Sequence, residues 1–368
     1  MRLLTELVRT RTVGAGEGEL ARVCGRRLEQ AGLTTRLVDL DPGREQLVAT
    51  FGGDQAPLTL TGHLDTVPAT ATDWSSDPWA ANCDGDRMVG RGTSDMKSGV
   101  AAAVVAVEAH AARPHGCRGI QVVLTAGEET GCTGALRIPP GLLRQGGPLL
   151  VAEPTQNRLV PAHKGALWLR LSSTGVAAHG SAPELGVNAV VRLARAAVAI
   201  HDHTTWPTQE GFGPVTANVG MLRGGVQPNV VPDAAEMWVD MRTVPAVDVA
   251  EVRDLVGSVA GPEVRVEDDV VLPAVSTPVG DAFVGQVAET LAAVGLPAEP
   301  APPARYFTDA SALVPLLTRS RASTVPAVVL GPGEPDQCHV AGEWCSLTRV
   351  EQAVALYEDL LDRWCAGR

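Results

Sequence analysis

The chain has 368 residues, 45% of them hydrophobic and 20% charged, a composition that excludes a disordered or fibrous protein and leaves room for two domains. The balance of 42 Asp plus Glu against 30 Lys plus Arg gives a formal charge of -12, which argues against a nucleic-acid partner, whose phosphates require basic patches. No apolar run approaches the roughly 18 to 20 residues that cross a bilayer, so no membrane partner is expected.

The opening stretch MRLLTELVRTRTVGAGEGEL sets Leu3, Leu4, Leu7 and Val8 at helical spacing among charges, without a small-residue cleavage site. It predicts an amphipathic helix rather than a secretory leader. Apolar strands then alternate with helical segments: PLTLTG (57–62), the helix KSGVAAAVVAVEAHAA (97–112), IQVVLTA (120–126), PLLVA (148–152) and AVVLGPG (327–333). Short buried strands interleaved with helices predict an α/β fold, a mostly parallel sheet flanked by helices. A last helix, from about 347 to 365, carries Val350, Ala353, Val354, Tyr357, Leu361 and Trp364 on one stripe and should pack on that sheet.

Between 165 and 273 the pattern changes. Strand ALWLRLSS, helix GVNAVVRLARAAVAI, strands TANVGMLRG and AEMWVDMRT, helix AVDVAEVRDLVGSVA and strand VRVEDDVVL follow in the β-α-β-β-α-β order of a ferredoxin-like α+β unit. The expected organisation is a discontinuous catalytic domain, 1–164 and 274–368, with residues 165–273 inserted. The Pro-rich GLPAEPAPPARY (295–306) reads as a loop of the first domain. Seven cysteines, at 24, 83, 117, 132, 338, 345 and 365, are odd in number and form no CxxC pair; they predict reduced thiols and a cytoplasmic location.

In an open α/β sheet the loops at the carboxyl ends of the strands converge on one crevice. Those loops here carry His63 and Asp65 (GHLDTVP), Asp95 (GRGTSDMKSG), Glu128 and Glu129 (TAGEETG), Glu153 (AEPT) and His339. Each has an ordinary reading by itself; Asp95, for example, could cap the helix after it. Together they make a cluster of negative charge that only a cation would stabilise, since like charges at 4 Å repel by several kcal/mol at an intermediate dielectric. Imidazole with carboxylate is a zinc ligand set, with Co2+ or Mn2+ as substitutes. Seven groups exceed the needs of one ion, so two metals sharing a carboxylate are expected. The HDH at 201–203 has ligand spacing but no third partner, and no glycine-rich phosphate loop follows a strand.

The ordered motifs GHLDTVP, GRGTSDMKSG, TAGEETG, AEPT, AHKG, AHGSAPELGVNA and GGVQPNVVPD resemble those of the M20 metallopeptidases, a group that includes acetylornithine deacetylase, succinyl-diaminopimelate desuccinylase, aminoacylase and carboxypeptidase G. The resemblance spans nearly the whole chain and looks nearest to the acetylornithine deacetylase branch. It implies a dinuclear Zn2+ amidohydrolase in which Asp95 bridges the ions, His63 and Glu153 complete one site, and Glu129 and His339 complete the other. It further implies that Glu128 is the general base, that Asp65 orients His63, and that the Asp95–Met96 peptide is cis. His179 would stabilise the oxyanion, often in the partner subunit's site, while Asn229 and Arg242 would hold substrate; Lys164 and Ser181 are weaker matches. The inserted domain would be a lid and the contact of a homodimer, and the substrate a small N-acylated amino acid or a dipeptide. A di- or carboxypeptidase with the same machinery is the alternative within the family. A metal- or amino-acid-binding protein without turnover is the alternative outside it, and would need neither Glu128 nor His179.

Overall fold

The computed structural model describes residues 1–113, 116–320 and 324–367. It divides into unit 1, Met1–Ala162, Ser276–Pro302 and Thr308–Arg368, and unit 2, His163–Val275 with Pro303–Phe307. Unit 1 begins with α1 (Arg2–Arg9), α2 (Glu17–Gln30), β1 (Thr34–Asp41), β2 (Arg44–Phe51), β3 (Leu58–His63), α3 (Ser98–Ala111), β4 (Ile120–Thr125) and β5 (Leu149–Val151). Unit 2 follows with β6 (Gly165–Thr174), α4 (Ala189–Asp202), β7 (Thr216–Gly224), β8 (Ala234–Thr243), α5 (Val249–Ala260) and β9 (Arg265–Leu272). The chain then completes unit 1 with α6 (Ala282–Ala293), α7 (Ala310–Leu317), β10 (Ala327–Val329) and α8 (Leu347–Cys365).

The unit 1 sheet has the order β1-β2-β4-β3-β5-β10. Strands β3, β4, β5 and β10 run parallel, and every residue of β3 and β4 is buried, which is why these strands read as unbroken apolar runs rather than alternating ones. The hairpin β1/β2 adds an antiparallel edge. Its outer strand TTRLVDLD is largely exposed and polar, so no hydrophobic run announces it. The N-terminal segment is two helices, not one. Thr10 leaves α1 in extended conformation (φ -87°, ψ 117°), and Gly14 and Gly16 then adopt left-handed φ of 67° and 99°, with Gly16 at the N-cap of α2.

Helix α3 is buried on almost every side, from Ser98 to His110, and packs between the sheet and α8. Its Gly99 lies so close to the backbone that an added Cβ would stand 1.9 Å from the Ala152 carbonyl oxygen. Helix α8 starts on Ser346, whose hydroxyl accepts from the Arg349 amide, and buries Val350, Ala353, Leu356, Tyr357, Leu360 and Leu361. Cys117 and Cys365 form a disulfide, a correction to the expectation of seven reduced thiols; two cysteines 248 residues apart leave no spacing signature. Among the described residues no helix is long and apolar enough to cross a membrane.

Unit 2 is a four-stranded antiparallel sheet of order β7-β8-β6-β9, the ferredoxin-like arrangement. Alternate residues of β6 and β8, among them Leu167, Leu169, Leu171, Met237, Val239 and Met241, are buried with α4 and α5. Strand β7 is an edge and is exposed over most of its length.

Candidate metal centre

Chain topology explains how distant residues meet in unit 1. The parallel strands β3, β4, β5 and β10 all end on the same edge of the sheet, and the loops leaving that edge carry His63 and Asp65, Glu128 and Glu129, Glu153, and His339. Asp95 arrives from the side, in the irregular turn before α3 where the Asp95–Met96 peptide is cis.

The geometry forms two triads that share one residue. Ligand atoms of His63, Asp95 and Glu153 lie within 4.8 Å of one another, and so do those of Asp95, Glu129 and His339. His63 Nε2 stands 3.0 Å from Asp95 Oδ1 and 3.7 Å from Glu153 Oε1. His339 Nε2 stands 3.3 Å from Asp95 Oδ2 and 3.0 Å from Glu129 Oε2. Each oxygen of Asp95 therefore serves a different triad. Among the described residues no Lys or Arg forms an ion pair with Asp95, Glu128, Glu129 or Glu153, so only two imidazoles offset four carboxylates.

The protonation tendencies express that imbalance. Burial pushes Glu128, Glu129 and Glu153 above the usual carboxylate range, with neighbouring acids adding to the effect. Burial acts the same way on Asp95, but hydrogen bonds from His339 and His63 prevail and hold it low. His63 is driven well above its ordinary value by Asp65 and Asp95 despite burial, and bonds to Asp95 and Glu129 raise His339 to about 10. A set of N and O donors that takes up protons for want of positive charge fits divalent cations bound by imidazole and carboxylate.

Three further carboxylates shape the site from outside the triads. Asp65 Oδ1 accepts from the amides of Gly127 (2.8 Å) and Glu128 (3.1 Å), and Oδ2 accepts from the amide of Glu129 (3.1 Å). Asp65 thus fixes the turn that presents both glutamates. His63 Nδ1 is bonded to the Asp65 carbonyl at 3.0 Å, with Oδ1 of the carboxylate farther away at 3.6 Å. The orienting contact expected of the side chain is made mainly by the backbone of the same residue. Glu343, fully buried, accepts from the amides of Gly92, Ser94 and Asp95 and from Arg91 Nη1, so it secures the turn that carries Asp95. Asp309 is buried and accepts from the Thr125 hydroxyl at the end of β4, and burial raises it to about 6. Neither Glu343 nor Asp309 was singled out by sequence reasoning; the available signal was an acid beside apolar residues, in GEW and in TDA.

Unit 2 holds the other candidates at two separate places. His179 makes a β-bridge with Val230, and the Gly180 amide donates to the Asn229 carbonyl at 2.8 Å, so His179 and Asn229 share one exposed loop cluster. Ser181 donates its amide to His179 Nδ1 at 3.2 Å, with its hydroxyl 2.7 Å away. This cluster lies beyond the Thr174/Ala234 end of β6 and β8, whereas Arg242 pairs with Ala166 at the opposite end. Eight residues of strand, roughly 25 Å, separate the two ends. Arg242 donates Nε and Nη2 to Asp240 Oδ2 and stacks 5.0 Å from the Phe307 ring centroid. The HDH segment is mostly exposed, and His203 packs edge-on to Trp206.

The family model of Peptidase family M20/M25/M40 matches residues 59–363. The chain belongs to this family. Its members are metal-dependent hydrolases of amide bonds, and this protein is such a hydrolase. An acetylornithine deacetylase of Myxococcus xanthus is 30% identical over 93% of this chain and 91% of its own length. A probable succinyl-diaminopimelate desuccinylase of Staphylococcus epidermidis is 31% identical over 69% of this chain and 70% of its own. Among solved structures, a dinuclear metal-binding peptidase of the M20 family from Bacillus subtilis superposes with a TM-score of 0.72 at 14% identity, covering 99% of this chain and 97% of that one. A tripeptidase from Staphylococcus aureus gives 0.74 at 22% identity, covering 98% and 97%.

Proposed function

We propose that this hydrolase is a dinuclear zinc amidohydrolase that removes an N-acyl group, acetyl, succinyl or similar, from an amino acid or a close relative. His63, Asp95 and Glu153 would hold one ion, and Asp95, Glu129 and His339 the other, with Co2+ or Mn2+ as substitutes. Bound there, the ions supply Lewis acidity toward the scissile carbonyl and the attacking water.

The observation that carries the proposal is the difference between two adjacent glutamates. Glu129 faces His339, while the Glu128 carboxylate is buried and makes no hydrogen bond or ion pair among the described residues. A carboxylate left unpaired at such cost suits a group that must change protonation state. In this reading Glu128 takes a proton from the water that attacks the amide carbon and returns it to the leaving nitrogen as the C–N bond breaks. Its raised affinity for protons, caused by burial, brings it nearer to neutrality, where a general base works best.

His179 would donate to the oxyanion, Asn229 would hold the substrate, and Arg242 would grip a carboxylate through its free edge. The separation of His179 and Asn229 from Arg242 along the unit 2 sheet favours a homodimer in which one subunit's His179 and Asn229 serve the other's site. The exposed edge strand β7, with Met221 and Leu222 43% and 40% exposed, offers a surface for that contact.

The test is amine release by the zinc-loaded protein from a panel of N-acetyl, N-formyl and N-succinyl amino acids and of dipeptides, run beside Glu128→Gln. Release of amine from one acyl class, reduced about 100- to 10,000-fold in the variant with metal content unchanged, is the expected result. Cleavage of dipeptides alone would assign a peptidase, and an unimpaired Glu128→Gln would remove Glu128 from the role.

A further inference from the structure

A further cluster of metal-binding side chains lies at the other edge of the unit 1 sheet. Ligand atoms of His110, Cys117 and Cys365 fall within 4.8 Å of one another. His110 sits in the last turn of α3, Cys117 precedes β4, and Cys365 ends α8. The triads occupy the opposite ends of the same elements. Asp95 comes just before α3, whose 14 residues span roughly 21 Å, and Glu128 and Glu129 follow β4. The cluster therefore has no residue in common with either triad.

The two sulfurs are joined as a disulfide, but the contacts that bring them together do not depend on that bond. Trp364 Nε1 donates to the Gly119 carbonyl at 3.1 Å, and the Arg118 guanidinium lies 4.9 Å from the Trp364 ring centroid. The sequence neighbours of each cysteine thus hold the two segments against each other. On the far side, the Gly53 amide donates to the Cys117 carbonyl at 2.9 Å. His110 Nδ1 is 2.6 Å from Asp362 Oδ1, and Asp362 Oδ2 accepts from Arg113 Nη1 at 2.8 Å. A carboxylate bonded to the ring is the partner that metal-bound histidines usually keep, because it fixes the imidazole and raises its basicity. With the bridge open, two thiols and an oriented imidazole would remain within reach of one ion.

We propose that, once the disulfide is reduced, His110, Cys117 and Cys365 bind one Zn2+ at a site separate from the two triads. Two thiolates and a neutral imidazole are a zinc ligand set, with water in the fourth position, and the thiolates balance the charge of the ion. Reduction by a dithiol places two electrons and two protons on the sulfurs while the dithiol closes to its own disulfide. Metal binding then releases both protons. The sulfurs are bonded to each other or to the ion, never both, so occupancy follows the redox state of the surroundings.

The test uses Co2+ as the probe in the full-length protein, loaded with zinc while oxidised and then opened with a phosphine, which takes up oxygen from water as the sulfurs take up protons. Reduction should raise the thiol titre of the denatured chain from the five free cysteines to all seven. Thiolate-to-cobalt absorption reports on this site, since the triads contain only N and O donors. The expected result is one Co2+ bound with that absorption in reduced wild type, and none before reduction or in Cys117→Ser. Cys338→Ser, which removes the thiol beside His339, should keep the absorption. Asp362→Asn should weaken cobalt binding about 10- to 100-fold. Cys117 is half-buried and Asp362 is exposed at its side chain, so both variants should fold. Absorption missing from reduced wild type, equally strong before reduction, surviving in Cys117→Ser or lost in Cys338→Ser would overturn the proposal. Unchanged affinity in Asp362→Asn would overturn the part assigned to His110.

Discussion

Replacing Asp65 by Asn tests whether one carboxylate holds the turn that presents Glu128 and Glu129. Its three bonds, from Gly127 at 2.8 Å and from Glu128 and Glu129 at 3.1 Å, are buried and accept at both oxygens. In the better orientation the Asn carbonyl keeps Gly127 and Glu128 but turns its NH2 toward the Glu129 amide. That orphans a buried donor, at about 1–3 kcal/mol, and reduces two charge-assisted bonds to neutral ones, at about 1 kcal/mol each. The total is about 3–5 kcal/mol. Urea unfolding in chelator, followed by tryptophan fluorescence, should show the midpoint falling with little change in slope. Turnover should drop about 100-fold even with saturating zinc, because displacement of a catalytic group by about 1 Å has an effect of that size. A stability loss below about 1 kcal/mol together with full activity would refute the reasoning, and Glu128 and Glu129 would then owe their placement to something other than Asp65.

Three other outcomes follow from the structure. Chelation should abolish amide hydrolysis and zinc or cobalt restore it; zinc at about 1,000 times its dissociation constant should also add about 4 kcal/mol to the unfolding free energy, whereas triads that only balance charge would gain nothing. Burial lowers His163 to about 4 from 6.5. The unfolded chain therefore takes up the extra proton between these values, so the stability held by neutral His163 is complete above pH 6.5 and lost as pH falls toward 4. The loss is about 3 kcal/mol by pH 4, and His163→Gln should flatten that part of the curve when unfolding is compared at pH 7 and pH 4.5. The bridge between Cys117 and Cys365 closes a loop of 248 residues, so its removal from the unfolded state by Cys365→Ser should destabilise the protein by at most about 5 kcal/mol in non-reducing unfolding experiments. An equal midpoint for both proteins would argue that the bridge does not form in solution.

What the sequence reveals depends on whether a residue acts through a local pattern or through a partner far along the chain. Strands β3 and β4 were legible because burial on both faces writes a continuous apolar run, and β6 and β8 because one buried face writes an alternation. Strand β1 was not, since it lies on an exposed edge and its polar residues carry no period. His63, Asp95, Glu129, Glu153 and His339 could be gathered from the sequence because parallel strands deliver their loops to one edge. The supporting role of Glu343 was hidden: its bonds to Gly92, Ser94 and Asp95 span about 250 positions of sequence, and an isolated Glu near a tryptophan looks like any surface acid. The Cys117–Cys365 pair was hidden for the same reason.

The grip of Glu343 on the Asp95 turn also sets an order of events during synthesis. Asp95 belongs to both triads, and its turn is secured by a residue that follows unit 2 in the sequence, four positions after His339. A growing polypeptide that has emerged only through unit 2 carries four of the five triad residues and neither His339 nor the clamp. Unit 2, continuous from His163 to Val275 apart from a short later segment, can meanwhile close its own sheet. The second triad and the clamp on the shared aspartate are therefore completed only by the segment that follows unit 2.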